Sequence, residues 1–362
     1  MDFNYTEEQQ MLRDSIGKYL EKSYDFDTRQ KLVRSEAAWS QEAWQQFADF
    51  GLLALPFSEE QGGLGGSISD CVAFAELFGK HLVIEPYTSA VMLSAPALAA
   101  SANPAAQDWF AKVIGGEAVV AFAFEEGHGT PSAAHITMTA EADGAGYVLS
   151  GEKRLVIAGA EAHALVVAAR SQEGAPALFL VEAGAAGLQP RAYRTIDGRS
   201  AADIRFDQVK ATALDLPGKA LDDIIAHAVI VQCAEAVGAM GALCAITAEY
   251  AMTRKQFGVP IATFQAVAHR LADMKIAYSK ARASLLYTTA LAQGGAATQR
   301  DIAILKAQTG KLGRAIGEAA IQTHGGVGTT DELNVSHYHK RLIACDAMFG
   351  DHAYHFRKIG EG

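Results

Sequence analysis

The sequence predicts an α+β protein in three consecutive parts: a helical segment over residues 1–116, a small β-barrel-like segment over 117–215 and a helical bundle over 216–362. Two textures carry this reading. Apolar residues recur with helical period at both ends of the chain, whereas the middle consists of short apolar or alternating runs broken by Gly, Asp-Gly and Pro. A third observation concerns the last part alone, where three long helical stretches are separated by glycine-bearing turns.

In the first part, Thr6 and Gln9 have the spacing of a capping box, and Leu12, Ile16, Tyr19 and Leu20 keep one apolar face. Trp44, Phe47, Phe50 and Leu52 continue the pattern until Gly51 and Pro56 end it. A Gly62-Gly-Leu-Gly-Gly66 loop and a helical stretch from Ser69 to Leu82 follow. The glycine cluster follows no strand, so it is a poor dinucleotide fingerprint. In the middle, strands are expected at Val119–Phe124, Ile136–Ala140, Tyr147–Ser150, Ala164–Ala169, Ala177–Val181 and Ala202–Phe206. The last part predicts helices near 222–254, 263–293 and 298–324. Lys306 and Lys311 of the third loosely suit its dipole.

Half of the 362 residues are hydrophobic, enough for a large core. No run approaches the ~18 apolar residues of a membrane span, and the first residues lack a basic-then-apolar leader pattern. A net charge of −10 argues against a nucleic-acid partner. Four scattered cysteines, none in a C-x-x-C pair, fit a reduced, cytoplasmic protein.

The stretch from Tyr250 to Met274 concentrates the chemistry. Arg254 closes a helix, Gly258 permits a tight turn and Pro260 stops the helix from continuing. A guanidinium fork beside free helix-end amides suits a pyrophosphate. Gln265, His269 and Asp273 share one face of the next helix. A second stretch, Gln322 to Gly328, ends the third helix in Gly-Gly-x-Gly, where bare backbone lets a phosphate or ribose come close. Taken alone, the first could be a plain helix hairpin and the second a helix C-cap.

Together the two stretches resemble the signature of the acyl-CoA dehydrogenase flavoproteins, and the resemblance runs along essentially the whole chain. The loop of Pro56, Gly62, Gly63 and Gly65 is similar to one in the family's first helical domain. The resemblance implies an acyl-CoA dehydrogenase-like fold: N-terminal helical domain, central β-domain, C-terminal four-helix bundle. It implies FAD as cofactor and an acyl-CoA as substrate. A carboxylate takes the α-proton while the β-hydrogen leaves as hydride to flavin N5, giving a trans-2-enoyl-CoA and a reduced flavin whose electrons pass to an acceptor flavoprotein. It assigns the adenosine-diphosphate half of FAD to Arg254, Gln256, Phe257, Gln265, Gln322, Gly325, Gly326 and Gly328, acting across a dimer interface.

Three departures from the family pattern share one direction. The family's Thr-Glu-Pro-Gly-x-Gly-Ser-Asp loop reads Phe124-Glu-Glu-Gly-His-Gly-Thr-Pro131 here. Its Trp-Ile-Thr-Asn reads Leu155-Val-Ile-Ala158, which lacks the hydroxyl expected near the flavin and reads as strand packed in the core. Its catalytic glutamate falls on Phe349, and the alternative position on the long helix is Ala228. No catalytic residue is assigned. The half-site a neighbour would use is intact and the chain's own ring site is eroded.

The chain thus resembles small subunits of bacterial two-component acyl-CoA dehydrogenases, such as those acting on pimeloyl-CoA or steroid side chains. A second acyl-CoA dehydrogenase subunit is the implied partner. The alternatives are a homo-oligomeric enzyme using Asp351 or Glu235 as base, and a structural subunit without redox role. His337, His339, Cys345, Asp346, Asp351, His352 and His355 crowd the end of the chain but match no metal-ligand spacing, and they read as solvated helix histidines and acids. Tyr250 and Phe257 read as core apart from the family match, and Met240, Met252 and Met274 as core fillers.

Overall fold

A computed structural model describes residues 5–127, 135–144, 146–171, 174, 176–216 and 220–361. The chain divides by packing into two compact units. One comprises residues 1–30, 68–83 and 229–362; the other comprises 31–67 and 84–228.

The first unit is helical. α1 (Glu7–Ser23) starts in the expected capping box: Gln9 N–H donates to Thr6 Oγ1, and the Gln9 side chain caps Thr6 N–H in return. Its apolar face buries Ile16 and Leu20 completely. α2 (Phe26–Arg34) opens in this unit, and α4 (Ile68–Lys80) buries most of its residues. α7 (Ala220–Thr253), which belongs to this unit from Val229 onward, α8 (Gln265–Gln293), α9 (Gln299–His324), α10 (Asn334–Ala347) and α11 (His352–Glu361) complete the helices. α9 is capped by a reciprocal Thr298–Asp301 box.

By length and composition α7 could cross a membrane, contrary to the expectation that no such run exists. Two thirds of its most apolar window (67%) is buried inside the protein, so it reads as a core helix. Packing of α4 on α7 requires glycine. A Cβ on Gly79 would lie 1.7 Å from Glu235 O, and one on Gly238 would lie 1.8 Å from Glu76 O.

The second unit joins short helices to a sheet. α3 (Gln41–Asp49) is capped by Ser40 and buries Trp44 and Phe47. A π-helical turn over Thr88–Ser94 runs into α5 (Ala95–Ala100), followed by α6 (Pro104–Ile114). Gly63 and Gly66 are packing glycines: a Cβ would lie 2.2 Å from Phe57 O and 2.8 Å from Leu55 O.

The strands are β1 (Val120–Ala123), β2 (Thr139–Asp143), β3 (Gly146–Ile157), β4 (Ala164–Arg170), β5 (Pro176–Glu182), β6 (Leu188–Arg194) and β7 (Ser200–Leu214). β2 pairs with β3, β3 with β7, β7 with β5, β5 with β4, and β4 back to β2, which closes a barrel-like ring. β1 lies parallel to β4. Leu149, Leu165, Val167, Phe179, Val181 and Val209 fill the interior.

β6 had no counterpart among the expected strands. It pairs only with β7, most of it faces out, and Pro190 is tolerated because an edge strand can forgo a ladder donor. The core-strand reading of Leu155–Ala158 holds for Val156, which is buried in β3, while Ala158 is buried but lies just past the strand in a left-handed turn (φ 58°). It fails for Leu155, where a register shift between Lys153 and Val156 throws the residue into a left-handed conformation (φ 51°) and leaves its side chain exposed.

Candidate functional site

The chain leaves α7 through a two-residue hairpin. β8 (Lys255–Gln256) and β9 (Val259–Pro260) pair with Gln256 opposite Val259. At the tip, Phe257 (φ 53°) and Gly258 (φ 83°) are both left-handed, as a type I′ turn requires. Gly258 adopts this freely, but a side-chain-bearing residue costs on the order of 1 kcal/mol there. The Phe257 ring is nonetheless 93% exposed, its neighbour being the Phe264 edge at 6.1 Å. Phe257 is not core. Met252 is also exposed, whereas Met240 and Met274 are buried as expected.

Arg254 stands at the head of this hairpin. Its N–H donates to Tyr250 O and its carbonyl accepts from Ile261 N–H, each at 2.8 Å. The backbone is held on both sides while the side chain stays exposed. Gln265 is the first residue of α8, whose N-terminus has no side-chain cap and no acid in its first turn. Its orphan N–H groups and positive dipole end therefore favour an anion.

The second stretch ends α9. Gly325 (φ 66°, ψ −145°) occupies backbone space that is nearly glycine-only. A Cβ at Gly325 or Gly326 would meet nothing within 4 Å, but one on Gly328 would lie 2.8 Å from His324 Cβ. Conformation thus requires glycine at 325, close packing requires it at 328, and the surface over 325–326 is open to a ligand.

The two stretches are tied by Tyr250 and His324. Their rings stack at 4.2 Å and 25°, and Tyr250 O–H donates to His324 O at 3.4 Å. His324 Nδ1 donates to Ala320 O at 2.9 Å, and burial pushes its pKa below the usual histidine value. Tyr250 is half-buried and packs on a ring of its own chain, in keeping with its reading as a packing residue. The structure thus brings the Arg254–Phe257 turn, Gln265 and the Gln322–Gly328 turn to one end of the helical unit. Gly328 is buried and the other seven candidate residues are exposed.

The loop at Phe349 is held by buried hydrogen bonds. Lys306, 1% exposed, donates to Cys345 O (2.9 Å), Asp346 O (2.8 Å) and Gly350 O (3.0 Å). Burial pushes its pKa down, and it is a clamp rather than a dipole-matching surface lysine. His355 Nε2 donates to Phe349 O at 2.8 Å, and burial pushes its pKa down to about 4. Phe349 itself is left-handed (φ 58°).

The acids near this loop are engaged. Asp351 Oδ1 accepts Tyr354 N–H at 2.7 Å and so caps α11. Glu235 is buried and ion-paired with Arg341, which also donates to Val83 O at 2.9 Å. Asp346 accepts both the backbone N–H (2.9 Å) and Nδ1 (2.7 Å) of His352. His337 and His355 are buried rather than solvated, and no metal-holding group of His, Cys, Asp or Glu exists among the described residues.

In the second unit, Phe124–Gly127 can be placed, whereas His128, Gly129, Thr130 and Pro131 lie outside the described residues. Glu126 accepts Lys153 Nζ (2.7 Å), Thr137 N–H (2.7 Å) and Met138 N–H (3.1 Å). Burial raises its pKa, but the bonds from Lys153 and Thr137 outweigh it and hold the carboxyl below the usual range. Lys153 Nζ also donates to Phe124 O at 3.1 Å. Leu155 N–H donates to Asp203 Oδ1 at 3.3 Å.

Known proteins agree with this architecture. The sequence matches the acyl-CoA dehydrogenase N-terminal domain over residues 6–117, the middle domain over 121–209 and the C-terminal domain over 220–362. It is 29% identical to acyl-CoA dehydrogenase FadE27 of Mycobacterium tuberculosis, covering 99% of this chain and 98% of that one. It is 30% identical to acyl-CoA dehydrogenase IpdE2 of the same organism, covering 92% and 91%. A chain in the crystal structure of the ChsE4-ChsE5 complex from M. tuberculosis superimposes with a TM-score of 0.90 at 27% identity, covering 100% and 98%. The chain belongs to the acyl-CoA dehydrogenase family, FAD-dependent oxidoreductases acting on CH–CH bonds.

Proposed function

We propose that this chain is one subunit of a two-polypeptide acyl-CoA dehydrogenase, in which it holds the adenosine-diphosphate half of an FAD whose ring rests on a partner subunit. The observation that carries this reading is Phe257. A bulky aromatic held left-handed at a hairpin tip and left 93% exposed makes physical sense when a ligand or partner outside the chain covers it. The residues beside it fit an anionic nucleotide tail. Arg254 offers a fork of donors for the pyrophosphate, the uncapped α8 start adds a positive helix end, and open space over Gly325 and Gly326 admits close approach. When bound, FAD supplies the electron acceptor for desaturation of an acyl-CoA thioester to a 2-enoyl-CoA.

The α-proton acceptor is assigned to the partner. Phe349 cannot take a proton, Asp351 caps a helix and Glu235 is enclosed in an ion pair. The likeness to a chain of a two-protein complex supports the same division.

The test is the flavin content of the purified chain, alone and co-expressed with a candidate partner. The expected outcome is a nearly colourless chain alone and one FAD per pair of subunits in the complex. Arg254→Ala in the complex should weaken FAD retention roughly 10- to 100-fold, the worth of a charge-assisted hydrogen bond. A chain that alone carries one FAD per polypeptide and turns over an acyl-CoA overturns the proposal.

A further inference from the structure

The helical unit holds a hollow beside one close packing contact. α4 and α7 touch backbone to backbone at Gly79 and Gly238. Beyond that contact α4 stops at Lys80, while α7 continues with Gly241, Ala242, Ala245 and Ala248. α7 meets α8 here, since a Cβ on Gly241 would lie 3.1 Å from Tyr278 Cε2 and Cys244 Sγ lies 3.7 Å from Met274 O, and a cavity of about 540 Å³ is lined by these small residues. A second hollow of about 300 Å³ shares Lys80, Ala242 and Ala245 with the first. The larger of the two is a trough with a floor of α7 methyl groups and walls that include Leu77 and Leu271. Its volume lies in the range of small-molecule sites, ~300–1,000 Å³.

The charge around the trough is unusual for a protein of net charge −10. Arg13 and Arg282 share one carboxylate, Glu76, at 3.4 and 3.6 Å, and Glu76 also accepts Tyr5 O–H at 2.8 Å. Lys80 pairs with Glu21 at 3.0 Å, but both side chains are largely exposed, so that pairing is weak. Lys275 lies over the Tyr278 ring at 4.9 Å. Among the lining residues three cations, Arg13, Lys80 and Lys275, therefore face one carboxylate, Glu76.

We propose that this trough is a binding site for a linear aliphatic chain with an anionic head, of the fatty-carboxylate class. The alkyl chain would lie on the Ala242–Ala248 floor and its head would be held by the cationic rim. This site is independent of the FAD reading above, since none of its lining residues belongs to the nucleotide turns.

The protein carries its own reporter. Cys244 lines the trough and is half-buried, whereas Cys71, Cys233 and Cys345 are buried. Alkylation of Cys244, followed by mass spectrometry of the full-length chain, should be slowed saturably by dodecanoate below its micelle concentration. Dodecanol should protect far less. Lys275→Glu, on the exposed face of α8, should weaken dodecanoate roughly tenfold through loss and reversal of a rim charge. Ala245→Trp should abolish protection by filling the floor. FAD retention in the complex should not change in either variant. Absence of saturable protection overturns the proposal, as does equal protection by dodecanol or an unaltered response in Lys275→Glu. Protection of Cys244 by a partner subunit alone would instead make the trough a protein interface and would equally overturn it.

Discussion

Tyr250 and His324 stack face to face at 4.2 Å, four residues before Arg254 in one case and immediately before Gly325 in the other. This contact fixes the end of α7 against the end of α9. Arg254 reaches it through its own N–H on Tyr250 O, so the guanidinium and the glycine turn are set by one aromatic pair. An aromatic stack is worth about 0.5–1.5 kcal/mol. Tyr250→Ala should therefore weaken FAD binding in the assembled protein about 2- to 10-fold, measured by flavin fluorescence titration. Tyr250→Phe, which keeps the stack and drops only a 3.4 Å hydrogen bond, should bind almost normally.

Asp351 separates the proposal from a self-sufficient enzyme. As the N-cap of α11 it can be replaced by Asn with little effect, and by Ala at a cost of about 1 kcal/mol. Turnover of the complex should survive Asp351→Asn unchanged. Loss of turnover with FAD retained would make Asp351 the base.

Lys306 organises the loop that replaces the family's catalytic segment. Lys306→Met keeps the volume and leaves three buried carbonyls without their donor. Each unsatisfied buried group costs about 1–3 kcal/mol, so thermal unfolding should begin several degrees lower, with multiple carbonyls sharing the loss. FAD held at the Arg254 turn should be affected much less.

His355 makes stability depend on pH. Burial holds its folded pKa near 4, below the ~6.5 of an unfolded histidine. The unfolded chain then binds more protons than the folded one between these values. The stability contributed by neutral His355 is fully present above about pH 6.5 and is lost as pH falls through that window towards 4. A series of melting temperatures across the range should show this fall. Burial holds His81 near 4 as well and lowers His227, His324, His337 and His339. His355→Gln, which can still donate to Phe349 O, should therefore lessen the fall by one histidine's share; an unchanged slope would remove His355 from the account.

Much of this molecule is legible in its sequence. The long helices follow from apolar period and caps, since the Thr6–Gln9 and Thr298–Asp301 boxes are local interactions between residues three apart. The positions of Arg254 and the Gly325–Gly328 turn were readable as motifs for the same reason. β6 was missed because its residues are mostly exposed and carry a proline, so no alternation marks it. Leu155 was misread because a bulge is set by pairing with β7 and not by the residue's own preference.

The amino-acid sequence alone determined the order of helical and sheet segments, the absence of an acid at position 349 and the chemistry available at 254–265 and 322–328. These depend on residue type and short spacing. Only the tertiary structure decided that Tyr250 meets His324, that Lys306 closes over three carbonyls forty residues away, and that Phe257 points outward while Glu235 is enclosed by Arg341. Those outcomes depend on which distant groups share a buried volume, and desolvation there turns an ordinary lysine, histidine or glutamate into a fixed structural part.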